Sequence, residues 1–234
     1  MNRTTDKDFR SQHFINRELG QLEFNQRVLA QAENANIPIL ERLKYLCIVS
    51  SNLDEFFEIR VAGLKEQINL KSVATGPDGM DARQTLKRVR EQVHHLIERQ
   101  YRILNSDILP VLDRHGIRFL RRTNWNDVQR AWIKNFFLCE VMPVLTPIGL
   151  DPSHPFPRVL NKSLNFAVDL VGKDAFGRNS AKAIVQAPRV LPRTILLPPE
   201  ISGCAHGFVF LSSILHAHVG ELFGGMEVLS CHQF

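Results

Sequence analysis

Ser50-Ser51-Asn52-Leu53-Asp54-Glu55-Phe56-Phe57 closes an apolar run that opens at Ile39, and its reading decides how the first half of the chain is built. Three cap-forming residues stand in succession where a helix would otherwise continue. Ser51 with Asp54, and Asn52 with Glu55, both show capping-box spacing. The pattern predicts a new helix starting at Ser51 or Asn52, with Leu53, Phe56, Phe57, Val61 and Leu64 turned inward. Taken alone, the segment reads first as a helix cap. An Asn at a helix start also offers a donor and an acceptor to the edge of a purine base.

Working outward, the flanking segments are helical as well. Leu19, Leu22, Val28, Leu29 and Ala32 recur at spacings of three and four and form one stripe. Asn34 to Asn36 break it, and Pro38 opens the next helix at a position where its missing N–H costs nothing. That helix carries Leu40, Leu43, Leu46, Cys47 and Ser50 on its stripe. Ser72 to Asp81, with Gly76, Pro77 and Gly79, reads as an exposed loop. A long helix follows, with Leu86, Val89, Val93, Leu96, Ile97, Tyr101 and Leu104 as its expected core face. Pro110 and Gly116 close the helical region.

The texture then changes. Ile117–Leu120 reads as a short strand and Trp125–Met142 as a last strong helix, with Val128, Trp132, Phe136 and Val141 facing in. Beyond Pro143 come expected strands at Leu164–Val171, Lys182–Gln186, Gly207–Leu211 and Glu227–Phe234, with a short helix at Ser213–Phe223. The fold class is α+β. A flexible tail covers residues 1–13, an all-helical domain residues 14–120, and a partial α/β head domain with a mixed or antiparallel sheet residues 121–234. The last strand reaches Phe234 with no turn or polar tail, so the expectation is a sheet, and a chain, that continue further.

Composition narrows the classes. The chain has 234 residues, 44% of them hydrophobic and 23% charged, the balance of a globular protein with a real core. No stretch approaches the roughly 20 apolar residues of a membrane span, and the polar N-terminus lacks the apolar centre of a signal peptide, so a cytoplasmic protein is expected. Net charge is +5. Residues 1–122 hold 20 basic and 16 acidic side chains, so the helical half carries most of the excess. That tilts toward an anionic partner. Cys47, Cys139, Cys204 and Cys231 form no C-x-x-C pair and read as reduced thiols, Cys47 and Cys139 within the core.

No P-loop, no G-x-G-x-x-G before a helix, no H-E-x-x-H and no G-x-S-x-G occurs. Cys204, His206, Cys231 and His232 have zinc-ligand chemistry, but Cys231 and His232 are neighbours in an expected strand and point to opposite faces. His94-His95 and the His216/His218 pair also diverge on their helices. No metal ligand is assigned. Arg83, Lys87 and Arg90 share a helix face, with Arg99 and Arg102 further along. They read as a solvated face, and no aromatics interleave to make a nucleic-acid groove.

Read together, longer blocks carry a resemblance. Phe14-Ile15-Asn16-Arg17-Glu18-Leu19, Leu22 to Leu29, Ile39 to Leu46 and Ser50 to Arg60 resemble the opening of polyphosphate kinases of the phosphohistidine type. Leu145-Thr146-Pro147-Ile148, Asp151 to Pro157, Asn161-Lys162-Ser163-Leu164-Asn165 and Ser230-Cys231-His232-Gln233-Phe234 resemble a second block of the same family. The likeness covers all but the first dozen residues. One departure is Gly20-Gln21, where many relatives carry Ser-Trp.

The resemblance implies reversible transfer of the terminal phosphate of ATP to polyphosphate, with Mg2+, through a histidine of the enzyme. It implies a helical N-terminal domain, a head domain used in homo-oligomer contacts, and two C-terminal domains that hold the phosphohistidine and the magnesium site. None of His13, His94, His154 or His232 matches the phosphohistidine motif, so no catalytic residue is carried over and the chain by itself is expected to be inactive. By motif, Asn52 is the residue that meets the adenine of ATP. The expected partners are ATP, polyphosphate and further copies of the chain, with no specific nucleic acid; a peripheral place at the membrane is a further expectation. The alternatives are a stand-alone oligomerisation or regulatory module and a basic nucleic-acid-binding domain.

Overall fold

The computed structural model describes residues 11–151, 155–173 and 182–234. They form two compact units that divide between Leu112 and Asp113. Of the expected tail, residues 1–10 lie outside the described residues, and Ser11–His13 forms a single 3-10 turn.

The first unit is helical. Helix α1 spans Arg17–Glu33, α2 Ile39–Glu55, α3 Ala62–Asn69 and α4 Ala82–Arg102. Asn16 caps α1, its side-chain oxygen accepting from the Glu18 and Leu19 amides at 3.1 Å each. Asp81 and Gln84 close a reciprocal capping box at the start of α4. Pro38 stands immediately before α2, as its residue type predicts.

The segment around Ser50 does not restart a helix. α2 passes through Ser50, Ser51 and Asn52 without a break and gives way only at Phe56–Val61, which is π-helical. The apolar stripe explains this: Leu46, Val49, Leu53 and Phe56 are all buried and follow one another at spacings of three and four. A break at Ser51 would take Leu53 and Phe56 off the face that buries Leu46 and Val49. The side chains that could compete for backbone amides are held elsewhere. Ser50 accepts from Gln100 at 2.7 Å, and Asn52 donates to Asn25 at 3.1 Å.

Three further expectations are corrected. Cys47 is exposed, because the buried face of α2 runs through Leu46 and Val49. Phe57 is also exposed. On α4 the buried face is Thr85, Val89, Val93, Leu96 and Gln100, whereas Ile97 and Tyr101 face outward. Gln100 replaces the expected apolar residues because it donates to the Leu46 carbonyl at 2.9 Å as well as to Ser50. The chain leaves α4 through a second π-helical turn, Ile103–Ile108, into α5, Leu109–Arg114.

The second unit is α+β. Strand β1 spans Ile117–Phe119, β2 Pro147–Gly149, β3 Asn165–Gly172, β4 Lys182–Gln186, β5 Thr194–Leu197, β6 His206–Phe210 and β7 Met226–Gln233. Helix α6 spans Asp127–Phe136, α7 Pro199–Ser202 and α8 Leu211–His218. Among the described residues two sheets form, one of three strands in the order β1-β6-β5 and one of four in the order β2-β4-β3-β7. β1 pairs parallel with β6, which places Ile117–Phe119 with the second unit. Gly116 enters it with φ +75°, a conformation that favours glycine. At Gly207 a Cβ would lie 2.2 Å from the Ser202 Cβ, so only glycine lets β6 pass beneath α7.

The four-stranded sheet is antiparallel throughout. Its buried face packs Phe166, Val168, Leu170, Ala183 and Val185 into one core with Ile133, Phe137, Val141, Leu211 and Ile214. The buried residues of α6 and the π-helical turn after it, Phe137–Val141, are Gln129, Ile133, Phe137 and Val141. The stripe therefore lies one position beyond the expected Val128, Trp132 and Phe136. Val128 is 58% exposed. Asn126 and Gln129 form the capping box that starts α6, and Gln129 also donates to the Ile201 carbonyl at 3.3 Å, so the helix faces α7 through a polar residue. Cys139 is exposed for the same reason of phase. β7 occupies one margin of its sheet, and a bulge between Asp169 and Leu170 sets Leu229 outside the register.

Candidate functional site

Asn52 sits in the last turn of α2, one residue before the buried Leu53. Its amide nitrogen donates to Asn25 Oδ1 at 3.1 Å. Asn25 is 3% exposed on the buried face of α1, between Leu22 and Leu29, and its own amide donates to the Val49 carbonyl at 3.2 Å. Asn25 thus holds two positions of α2 at once and aims the Asn52 side chain. Asn52 is not a cap, since the Phe56 amide binds the Asn52 main-chain carbonyl as in an ordinary helical turn. Among the described residues Asn52 Oδ1 has no partner.

Gln21, Leu22, Phe24, Asn25, Asn52, Leu53 and Phe56 line a small pocket of about 80 Å³. Ligand pockets run to roughly 300–1,000 Å³. The pocket therefore admits one edge of a flat group and no more. Phe24 is 52% exposed at its rim, with the Arg27 guanidinium 5.8 Å from its ring centre. Gln21 stands on the pocket wall.

Asn25 is the residue that sequence reasoning missed. Its position on the α1 stripe, between Leu22 and Leu29, was the available signal: a polar residue at a core position needs a partner. Of the basic residues on α4 that read as a solvated face, Arg99 is paired. Arg99 Nε donates to Glu33 Oε1 at 2.6 Å, and its Nη2 meets Glu33 Oε2. The guanidinium holds the Glu33 carboxyl below the usual range.

In the second unit, Thr146, Ser163, Asn165, Gln186 and Arg189 line a pocket of about 270 Å³, and Arg189 donates to the Asn161 carbonyl at 2.9 Å. Asn165 is 1% exposed, and its amide donates to the Ser163 carbonyl at 3.1 Å and to Ser163 Oγ at 2.9 Å. His154, with Pro152 and Ser153, lies outside the described residues. Cys231 and His232 follow one another on β7, and burial pushes the Cys231 thiol up. Among the described residues no three His, Cys, Asp or Glu side chains converge on a possible metal position. No described helix is long and apolar enough to cross a membrane.

Residues 14–120 match the polyphosphate kinase N-terminal domain, and residues 128–234 match the polyphosphate kinase middle domain. A polyphosphate kinase of Neisseria meningitidis serogroup C is 61% identical over 218 residues, 93% of this chain and 32% of that protein. One of Pseudomonas putida is 57% identical over 221 residues, 94% of this chain and 30% of that protein. The crystal structure of polyphosphate kinase from Porphyromonas gingivalis shares the fold with a TM-score of 0.77 at 32% identity, covering 94% of this chain and 32% of that one. The chain thus spans about a third of the length of the relatives it matches.

Proposed function

Because the chain belongs to the polyphosphate kinase family and covers that family's N-terminal and middle domains, we propose that it works as part of an enzyme that transfers the terminal phosphate of ATP reversibly to polyphosphate. The observation that carries this is the likeness to polyphosphate kinases through both units in register. In this reading the phosphate passes through a histidine, and magnesium supplies charge neutralisation between the phosphates. No His, Asp or Glu of this chain is assigned to either task, and the described residues offer no converging ligand set for the metal.

The part assigned to this chain is recognition. Asn52 meets the edge of adenine, with its free Oδ1 as acceptor and its second N–H as donor, while Asn25 fixes the amide plane. The size of the pocket supports a contact with one edge of the base, the rest of the nucleotide being held by other parts of the enzyme. The second unit serves self-association, for which β7, at the margin of its sheet among the described residues, offers a backbone edge. A cytoplasmic place follows from ATP as substrate.

The test is polyphosphate synthesis. The full-length protein, given ATP and magnesium, is expected to form acid-insoluble polyphosphate, and the 234-residue chain alone none. Absence of product from the full-length protein sinks the assignment. Product from the chain alone sinks the division of labour.

A further inference from the structure

We propose that the pocket lined by Arg122, Thr123, Trp125, Arg130, Ala217 and His218 in the second unit binds a phosphoryl oxyanion. The pocket measures about 390 Å³, within the size range of small-ligand sites. It is built from three elements of one unit: the 3-10 turn Arg122–Asn124, the start of α6 and the end of α8.

The charge balance points to an anion. Two guanidiniums line the pocket, and among the described residues no carboxylate does. Arg122 donates to His216 Nδ1, and Arg130 Nε donates to the Trp125 carbonyl at 2.9 Å. Neither partner carries a negative charge, so they orient the arginines without cancelling their charge. The Arg130 terminal amino groups have no partner among the described residues. Glu221, the carboxylate that acts on His218, is already paired with Lys134 at 2.9 Å.

The chemistry of the wall narrows the anion. A guanidinium is a planar fork that matches phosphate oxygens two at a time, and two such forks suit a tetrahedral group. Thr123 lines the pocket at an exposed position, its hydroxyl donating to Asn124 Oδ1 at 3.0 Å. Trp125 is 4% exposed and spends its N–H on the Leu120 carbonyl at 3.2 Å, so it presents an apolar surface to the pocket. Polyphosphate, nucleotides and free phosphate all carry the group that this pocket fits.

Calorimetric titration of the 234-residue chain with tripolyphosphate, orthophosphate and ATP is the test. Tripolyphosphate is expected to bind, more weakly as salt rises. Arg122→Gln and Arg130→Gln should each weaken it by about tenfold or more. Thr123→Glu, at an exposed position, should abolish binding by adding a carboxylate while the circular dichroism stays that of the parent. Asn52→Ala should leave tripolyphosphate binding unchanged, which separates this pocket from the adenine contact. Orthophosphate binding as tightly as tripolyphosphate identifies a single phosphate as the occupant, and tighter tripolyphosphate identifies the chain. The proposal is overturned if Thr123→Glu binds tripolyphosphate as the parent does, or if only ATP binds.

Discussion

Asn52 donates to Asn25 Oδ1 at 3.1 Å, and Asn25 donates in turn to the Val49 carbonyl at 3.2 Å. A carbonyl only accepts, so the Asn25 amide nitrogen must face Val49 and its oxygen must face Asn52. That fixes which end of Asn52 points at α1 and which points away.

Asn52→Asp should destabilise the first unit. A carboxylate in place of the amide sets two acceptors against each other, and Asn25 cannot turn without losing Val49. The cost is about 1–3 kcal/mol, read as a lower melting temperature. A helix cap would tolerate the same change almost without loss. A parent-like melt for this variant would show that the pair is not structural.

In the full-length enzyme, Asn52→Ala and Asn25→Ala should part company. Both break the pair, but only the first removes the group assigned to adenine. Asn52→Ala is expected to raise the apparent KM for ATP by about tenfold to a hundredfold, the worth of roughly 1–3 kcal/mol of lost hydrogen bonding. Asn25→Ala should raise it less, through looser aim. Equal rises in the two variants would remove Asn52 from the nucleotide site.

Gln100, 7% exposed, should tolerate loss of polarity better than gain of charge. Gln100→Met keeps the volume and gives up two hydrogen bonds, for about 1–2 kcal/mol. Gln100→Glu turns a carboxylate toward the Leu46 carbonyl and should cost more at neutral pH than in acid, where it is protonated. Denaturant unfolding at two pH values checks the order.

The Glu33–Arg99 pair should give the first unit an acid-sensitive increment. The Arg99 hydrogen bonds depress the folded-state pKa of Glu33 below its unfolded value. The contribution is therefore fully present above the unfolded value, near 4.3, and is lost as pH falls through the folded one. With both side chains about a third exposed, it is worth about 1 kcal/mol. The melting difference between parent and Glu33→Gln should be largest at neutral pH and close toward zero in strong acid. A constant difference across that range counts against the pair.

Neighbouring apolar positions on α6 should respond oppositely to truncation. Ile133 is 0% exposed, so Ile133→Ala should cost about 2–5 kcal/mol. Val128→Ala, on the outer face, should stay within roughly 0.5 kcal/mol. Thermal unfolding of the two variants decides the phase of the helix.

Much of this was legible without coordinates. The helical first half, the α+β second half, the loop at Ser72–Asp81 and the place of Pro38 at the start of α2 follow from short-range patterns. Strand positions Lys182–Gln186 and Met226–Gln233 were close to readable from composition alone. β2 and β5 were not. Each is three or four residues long and makes sense only beside its partner, β4 or β6.

The sequence by itself determined the family, the order of the helical and mixed units, and the choice of Asn52 as the residue to watch. It could do so because periodicity and long ordered motifs are local properties of the chain. Only the tertiary structure decided that α2 runs through Ser50-Ser51-Asn52 instead of stopping there. A side chain that could cap a helix also bonds outward, and which bond forms depends on what lies opposite. Here Asn25 and Gln100 lie opposite, one 27 and the other 50 residues away along the chain, and no local pattern records them. The same reason shifted the buried face of α6 by one residue: apolar residues stand on both sides of the boundary, and the sheet and α7 select which of them are covered.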